Sequence, residues 1–234
     1  MSSSDIRKQE DGCFAITAER KYYHKDNTFI KRSLRPHEYI TGQSGLHTPR
    51  LGIQSLKNEA ACLQLVQTET DVPVPRVLCD FEDDNAYYLI TEYIEGVGMN
   101  ELTEDQKAVV KQELLTHIDS LHKLKSARLG GPSGLVIPPY RIRLATEQDK
   151  WRLKETDSEQ YVFCHNDLSQ HNVIVDPDTL KINAIVDWEY AGFYPAYFEM
   201  AVYERPGPSA AFLEGETDNR QELLDFLRSQ EVKS

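Results

Sequence analysis

Apolar positions gather in short runs of strand type near the start of the chain and again between residues 160 and 187, with helical stripes between. Cys13–Ile16, Lys21–His24 and Thr28–Lys31 read as strands, and the last two flank Lys25-Asp26-Asn27, a hairpin turn sequence. Residues 33–54 carry Pro36, Gly42, Gly45, Pro49 and Gly52 and predict a loop. Leu56, Ala60, Leu63 and Val66 recur at helical spacing and predict a helix over 56–67 capped by Ser55. Val72-Pro-Val-Pro75 predicts an extended connector, because each proline restricts itself and its predecessor. Val77–Phe81 and Ala86–Glu92 predict a second hairpin.

Thr103 and Gln106 have capping-box spacing, and Val110, Leu114, Ile118 and Leu121 form the stripe of the helix that follows. Gly130-Gly131 is the expected stop for that helix. The charged segment around Lys150-Trp151-Arg152 reads either as a solvated helix or as an insertion on the substrate side. Asn219–Arg228 predicts a short amphipathic helix.

The stretch from Tyr161 to Tyr194 organises the rest. Tyr161–Cys164, Val173–Val175 and Ile182–Val186 are apolar, and Asp176-Pro-Asp-Thr179 is a turn signal, so the last two runs predict a hairpin. A hairpin carries Asp187 back towards Asn172. Asp167, Asn172 and Asp187 then present side-chain oxygens at the ends of buried strands, the ligand type that a hard cation such as Mg²⁺ requires.

His165-x-Asp167-x₄-Asn172, an apolar strand and then Asp187 resemble the protein-kinase-like small-molecule kinases. Ile185-Val-Asp-Trp-Glu189 and Val72-Pro-Val-Pro75 narrow the likeness to the aminoglycoside phosphotransferase and choline kinase-like family, over residues 20–204. The resemblance implies an α+β, bilobal protein-kinase-like fold. Its small N-lobe (12–92) holds an antiparallel sheet and one helix, its mostly helical C-lobe spans 93–234, and residues 1–11 are expected to be disordered. It implies transfer of the γ-phosphate of ATP, with Mg²⁺, to a hydroxyl of a small molecule. Asp167 would receive or orient the acceptor proton, and Asn172 and Asp187 would hold Mg²⁺. Lys31 would contact the ATP phosphates and Glu59 would orient it, although Lys21, Lys25 and Arg32 compete with Lys31 for that place. Main-chain groups of Glu92 and Ile94 would meet the base. His165 would support the loop and not act as the base. Cys164 and His165 are adjacent on a strand and point to opposite faces, which makes them a poor nucleophile pair.

Trp188-Glu189 stands where protein kinases have Phe-Gly, no Ala-Pro-Glu segment follows, and two further departures bear on function. No glycine-rich loop precedes Lys31, so Ala15–Arg20 would be the phosphate-covering segment. Few residues follow Asp187, which argues against a protein substrate. Both departures leave open an alternative reading, a catalytically inactive kinase-like binding or scaffold protein.

Charge adds little. The chain has 26 basic and 38 acidic residues, a net −12, which argues against a nucleic-acid-binding role built on bulk phosphate contacts. Glu189, Glu199 and Glu204 alternate with Tyr190, Tyr194, Tyr197 and Tyr203, a composition suited to an amine-bearing acceptor and equally to ordinary core and surface. Cys13, Cys62, Cys79 and Cys164 lack CxxC spacing and lie in apolar runs, the pattern of buried free thiols. No apolar segment reaches membrane-spanning length, and the expected location is cytoplasmic. The acceptor's identity and the oligomeric state stay open.

Overall fold

The computed structural model describes residues 10–42, 45–213 and 215–232. The disorder expected of residues 1–11 falls largely outside this range. Only Glu10 and Asp11 lie within it, and Glu10 makes ion pairs with Lys21 at 2.7 Å and Arg32 at 3.2 Å.

Five antiparallel strands form the first sheet: β1 (Cys13–Ile16), β2 (Arg20–Lys25), β3 (Thr28–Ser33), β4 (Val77–Asp83) and β5 (Ala86–Glu92). Their order in space is β1-β2-β3-β5-β4. Asp26 takes a positive φ of 51° in the β2–β3 turn, a conformation Asp tolerates better than most residues. Lys31 therefore lies on the central strand, paired with Tyr22 on one side and Leu89 on the other.

Helix α1 (Gly52–Glu69) packs against this sheet. It begins four residues before the expected start. Leu51 stands in the left-handed region at φ 59° and opens the helix, while Ser55 is buried in its first turn with no partner for its hydroxyl. Between β3 and α1 the predicted loop holds a 3-10 turn (Pro36–Glu38) and a two-stranded ribbon (Ile40–Gly42 with Gly45–His47).

Helix α2 (Glu104–Leu121) has the predicted Thr103–Gln106 capping box. It ends nine residues before Gly130, because the chain turns at His122 to pair Lys125–Ser126 with β7 (Tyr161–Cys164). Gly130 instead bridges to Phe193. The chain then forms one short helix, α3 (Tyr140–Arg143). Trp151 lies in no helix and is buried, and Leu153 bridges to Glu231.

A three-stranded sheet holds β6 (Val97–Gly98), β8 (Val173–Val175) and β9 (Ile182–Ile185), in the order β9-β8-β6. β10 (Gly192–Tyr194) pairs with β7, and α4 (Arg220–Ser229) closes the described chain. One apolar core runs from Leu63, Val66 and Leu89 through Leu114 and Leu121 to Phe163, Val173 and Trp188. A second packs Leu223, Leu224 and Leu227 of α4 on Tyr161, Tyr194 and Phe198. Each fully buried leucine contributes about 1.5–3 kcal/mol. The first core therefore holds α1 and the β8–β9 hairpin in a fixed relation.

All four cysteines are free, and Cys62 and Cys164 are buried as expected, but Cys13 is only half-buried and Cys79 is exposed, since β4 is an edge strand exposed from residue 78 to residue 83.

Candidate active site

The β8–β9 hairpin does what its sequence predicts. Val173 faces Ile185, and the amide of Val186 donates to the Asn172 carbonyl at 2.9 Å, extending the ladder by one residue. Asn172 and Asp187 leave the sheet at neighbouring points. The Asn172 side chain donates Nδ2–H to the main-chain carbonyl of Asp167 at 2.7 Å, which leaves its Oδ1 for another group. Asp187 takes a left-handed backbone, φ 63° and ψ 55°, and keeps 43% of its side chain exposed.

Lys31 meets Asp187 there. Its Nζ donates to the Asp187 carboxylate and to Glu59 Oε1, the latter at 2.6 Å. Lys31 and Glu59 are both buried. Burial works against the ammonium, but Asp187 and Glu59 outweigh it and raise the Lys31 pKa. Burial likewise works against the Asp187 carboxylate, and Lys31 outweighs it, holding that carboxyl below the usual range. Of the basic residues competing with Lys31, Lys21 and Arg32 serve Glu38, and Lys25 is exposed and reaches Asp11 alone among the described residues.

Lys31, Glu59 and Asp187 line a cleft of about 460 Å³. Leu63, Leu89, Ile174 and Val186 give it apolar walls. Glu92 and Ile94 both line it. The Glu92 amide is committed to Arg76 O at 3.0 Å, and its carbonyl accepts from the Thr91 hydroxyl at 3.1 Å, which leaves that carbonyl one further lone pair for a ligand. Ile94 makes no backbone hydrogen bond among the described residues. Gly96, at φ +144°, lets this connector approach β8: a Cβ there would stand 2.7 Å from Val175 O.

The segment Ala15–Arg20 is a closed turn. The Thr17 hydroxyl accepts from the amides of Glu19 at 3.2 Å and Arg20 at 3.1 Å, and the Thr17 amide donates to Arg20 O at 2.9 Å. Those amides are spent within the turn, where a glycine-rich loop would offer them outward. Arg20 itself is buried and pairs with Glu189 at 2.6 Å, tying the sheet to the residue two beyond Asp187. Asn58 of α1 adds a second tie, donating to the carbonyls of Glu189 at 3.0 Å and Ala191 at 2.9 Å. Sequence reasoning missed both ties. No local pattern distinguishes Arg20 or Asn58 from a solvated residue, since their partners lie more than 130 positions away.

The loop after β7 is fixed from three sides. His165 Nδ1 accepts from the Asp167 amide at 3.3 Å, so the ring is assigned as the Nε2–H tautomer donating to Val186 O at 2.9 Å. Burial lowers the His165 pKa to about 4, keeping it neutral in the supporting role expected of it. Glu199 accepts from the amides of His165 and Asn166, the latter at 3.2 Å. Arg141 donates to Asn166 O at 2.8 Å and Phe198 O at 2.6 Å. Asp167 thereby projects into a second hollow of about 350 Å³, lined also by Tyr140, Ser169, Asn172, Glu189, Tyr190 and Pro208. Burial raises the Asp167 carboxyl pKa to about 7, with a further lift from Asp187 and Glu189, against the Ser209 hydroxyl and Arg141.

The acid and tyrosine alternation does not gather around this hollow. Only Glu189 and Tyr190 line it. Glu199 holds the loop, Glu204 pairs with Lys111, and the buried Tyr194 donates to Ile137 O at 3.1 Å.

A five-stranded antiparallel sheet with its helix, a lysine–glutamate pair, and an Asp–Asn–Asp set on a loop and hairpin define an α+β protein-kinase-like fold. The chain belongs to the phosphotransferase enzyme family, whose profile matches residues 19–218. It is 28% identical over 156 residues to the aminoglycoside 3'-phosphotransferase of Streptomyces fradiae, a match covering 57% of this chain and 58% of that relative. It is 41% identical over 123 residues to the probable choline kinase 3 of Arabidopsis thaliana, covering 52% of this chain and 33% of that one. The chain thus spans less than two thirds of these curated relatives. Among solved structures, an aminoglycoside phosphotransferase of Streptomyces rimosus superposes with a TM-score of 0.57 at 17% identity, covering 84% of this chain and 77% of the other. At that identity the likeness speaks for the fold alone. The same protein has been solved with ADP and streptomycin.

Proposed function

We propose that the chain transfers the γ-phosphoryl group of ATP to a hydroxyl of a small molecule, in a Mg²⁺-dependent reaction. The observation that carries this reading is Lys31 held between Glu59 and Asp187 in the wall of the 460 Å³ cleft, with Asn172 in the adjoining hollow. The apolar cleft suits a purine. The Glu92 carbonyl and the Ile94 main chain would read its edge, and Lys31 would meet the phosphates.

The donor set fits a hard cation: one carboxylate from Asp187 and one amide oxygen from Asn172, whose nitrogen is already engaged. Mg²⁺ held there would neutralise phosphate charge. Asp167, in the adjoining hollow, would orient the acceptor hydroxyl and receive its proton. A neutral His165, Glu199 and Arg141 hold the loop that carries it, and alignment is most of what phosphoryl transfer asks of a protein. The hollow's volume, with Tyr140, Tyr190 and Glu189 on its walls, supports a small acceptor, and the rings and carboxylates an amine-bearing one. A division into lobes at 12–92 and 93–234 goes with this reading, since the cleft lies where Glu92 leaves β5.

The cytoplasm is the proposed location, on the strength of four unpaired cysteines. No helix among the described residues is long and apolar enough to cross a membrane.

The test has two parts. Thermal unfolding is followed with ATP, with and without Mg²⁺, in the wild type and in Asp187→Ala. A metabolite pool is then incubated with ATP·Mg²⁺ and searched for a mass gain of one phosphate. Mg²⁺-dependent stabilisation lost in Asp187→Ala, with one metabolite gaining phosphate, is the expected result. ATP binding indifferent to Mg²⁺ and to Asp187 would leave the inactive scaffold as the better reading.

A further inference from the structure

His122, Cys164 and Glu199 come from three separate elements and meet. His122 is the C-cap of α2, Cys164 ends β7, and Glu199 caps the 3-10 turn Ala196–Phe198 that follows β10. Cys164 Sγ, one ring nitrogen of His122 and one carboxylate oxygen of Glu199 all lie within 4.8 Å of one another. None of the three lines the cleft or the hollow beside Asp167.

The hydrogen bonds around this cluster leave it incomplete. His122 Nε2 is shielded from solvent and has no partner among the described residues, which is uncommon for a buried polar atom. Cys164 is fully buried, and its weak S–H donor meets only distant carbonyls, Val162 O at 3.6 Å and Pro195 O at 3.8 Å. Glu199, by contrast, is already oriented: Oε1 accepts from Asn166 N at 3.2 Å, and Oε2 accepts from His165 N. Each of these oxygens keeps a further lone pair. Hydrogen bonds to a carboxylate from the surrounding main chain are how proteins orient a metal ligand.

The donor chemistry selects the ion. Thiolate, imidazole and carboxylate together are ligands of Zn²⁺, bound at about 2.0–2.3 Å in a tetrahedral shell whose fourth place water can take. Mg²⁺ takes oxygen, so this set is distinct in kind from Asn172 and Asp187. Thiolate and carboxylate bring two negative charges, which a dication balances. Arg141 stands close by and opposes a cation, but its guanidinium is shared among Asn219 Oδ1, Asn166 O and Phe198 O. His122 and Glu199 are each only partly buried, which gives an ion a way in.

We propose that His122, Cys164 and Glu199 form a Zn²⁺ site, a structural clip joining the end of α2 to β7 and to the segment after β10. The Cys164 thiol gives its proton to solvent as the Zn–S bond forms. Because Glu199 also holds the amides of His165 and Asn166, the bound ion fixes the start of the loop that carries Asp167. The site does not depend on the phosphotransferase reading.

The full chain, stripped with a chelator and kept reduced, is titrated with Co²⁺ and then with Zn²⁺, in excess Mg²⁺ to occupy any all-oxygen site. The expected result is one Co²⁺ per chain with a thiolate-to-metal charge-transfer band in the near ultraviolet. Zn²⁺ should displace it and raise the unfolding temperature as its concentration rises. The band should vanish in Cys164→Ser and survive in Cys79→Ser, which removes the exposed thiol. His122→Ala and Glu199→Gln should each weaken Zn²⁺ binding at least about tenfold, the least that losing even a group that supports a metal ligand costs. Should Cys164→Ser fail to fold, His122→Ala, at a partly exposed position, carries the test. No band in the wild type, or one that persists in Cys164→Ser or disappears in Cys79→Ser, overturns the site. Zn²⁺ binding indifferent to both His122→Ala and Glu199→Gln overturns it as well, since a thiol alone then holds the ion.

Discussion

Lys31 Nζ stands 2.6 Å from Glu59 Oε1, joining the middle of the first sheet to the buried face of α1. Both residues are buried, so each depends on the other for charge compensation. Glu59→Ala leaves an ammonium partly uncompensated and is expected to destabilise the fold by about 3 kcal/mol, with Asp187 limiting the loss. Glu59→Gln keeps an acceptor for Nζ and is expected to cost about half as much. Urea unfolding of the two variants checks the ranking. Equal stabilities would mean that the pair does not hold α1.

Arg20, buried, and Glu189, partly buried, make a second ion pair, and breaking either half should be worse than removing both. Arg20→Met leaves the partly buried Glu189 with no ion-pair partner among the described residues, at an expected cost of about 3 kcal/mol. The double variant Arg20→Met with Glu189→Met is expected to recover at least half of that. Additive losses in the double-mutant cycle would show that the two side chains do not depend on each other.

Asn166 joins two backbone demands. It holds φ 68°, and its Nδ2 donates to Tyr190 O at 2.8 Å. Asn166→Gly loses only the hydrogen bond, about 1 kcal/mol, whereas Asn166→Ala adds about 1–2 kcal/mol of left-handed strain. Alanine should therefore be the less stable variant, contrary to the usual order, and chemical denaturation reads this directly.

Glu199 gives the expected pH dependence. Burial raises its carboxyl pKa to about 7, against the two loop amides and Arg141. The folded state thus holds the proton more tightly than the unfolded chain. The associated stability is present in full below the ordinary glutamate pKa and is lost as pH rises through about 7. Its neighbour Cys164 stays a thiol in this window, because burial pushes its pKa up. Glu199→Gln does not titrate, so its stability relative to wild type should improve by on the order of 2 kcal/mol between pH 5 and pH 8. A flat difference across that range would place the carboxyl at its ordinary pKa.

Removing Gly96 should damage the cleft without unfolding the protein. A Cβ at this position meets Val175 O at 2.7 Å and Ile174 Cγ2 at 2.8 Å, so the connector must back away from β8. Gly96→Ala is expected to weaken ATP binding about tenfold, measured by calorimetry, because Ile94 and Ile174 line the same wall.

The amino-acid sequence alone determined the elements with strong local signals: both hairpins of the first sheet, the capping box of α2, and the β8–β9 hairpin that brings Asn172 to Asp187. Turn residues and side-chain periodicity act over a few positions, so they survive as text. Lys31 and Glu59 were legible for a different reason, the resemblance of their order in the chain to a known family. The start of α1 at Leu51, the end of α2 at His122 and the burial of Trp151 were not legible, because each answers to a partner from elsewhere. Only the tertiary structure decided that Arg20 meets Glu189, and that Glu199 holds the loop after β7 and does not line the hollow beside Asp167. Those contacts join residues 33 to 169 positions apart. Their energies come from desolvated charges, whose worth depends on burial that no local pattern records.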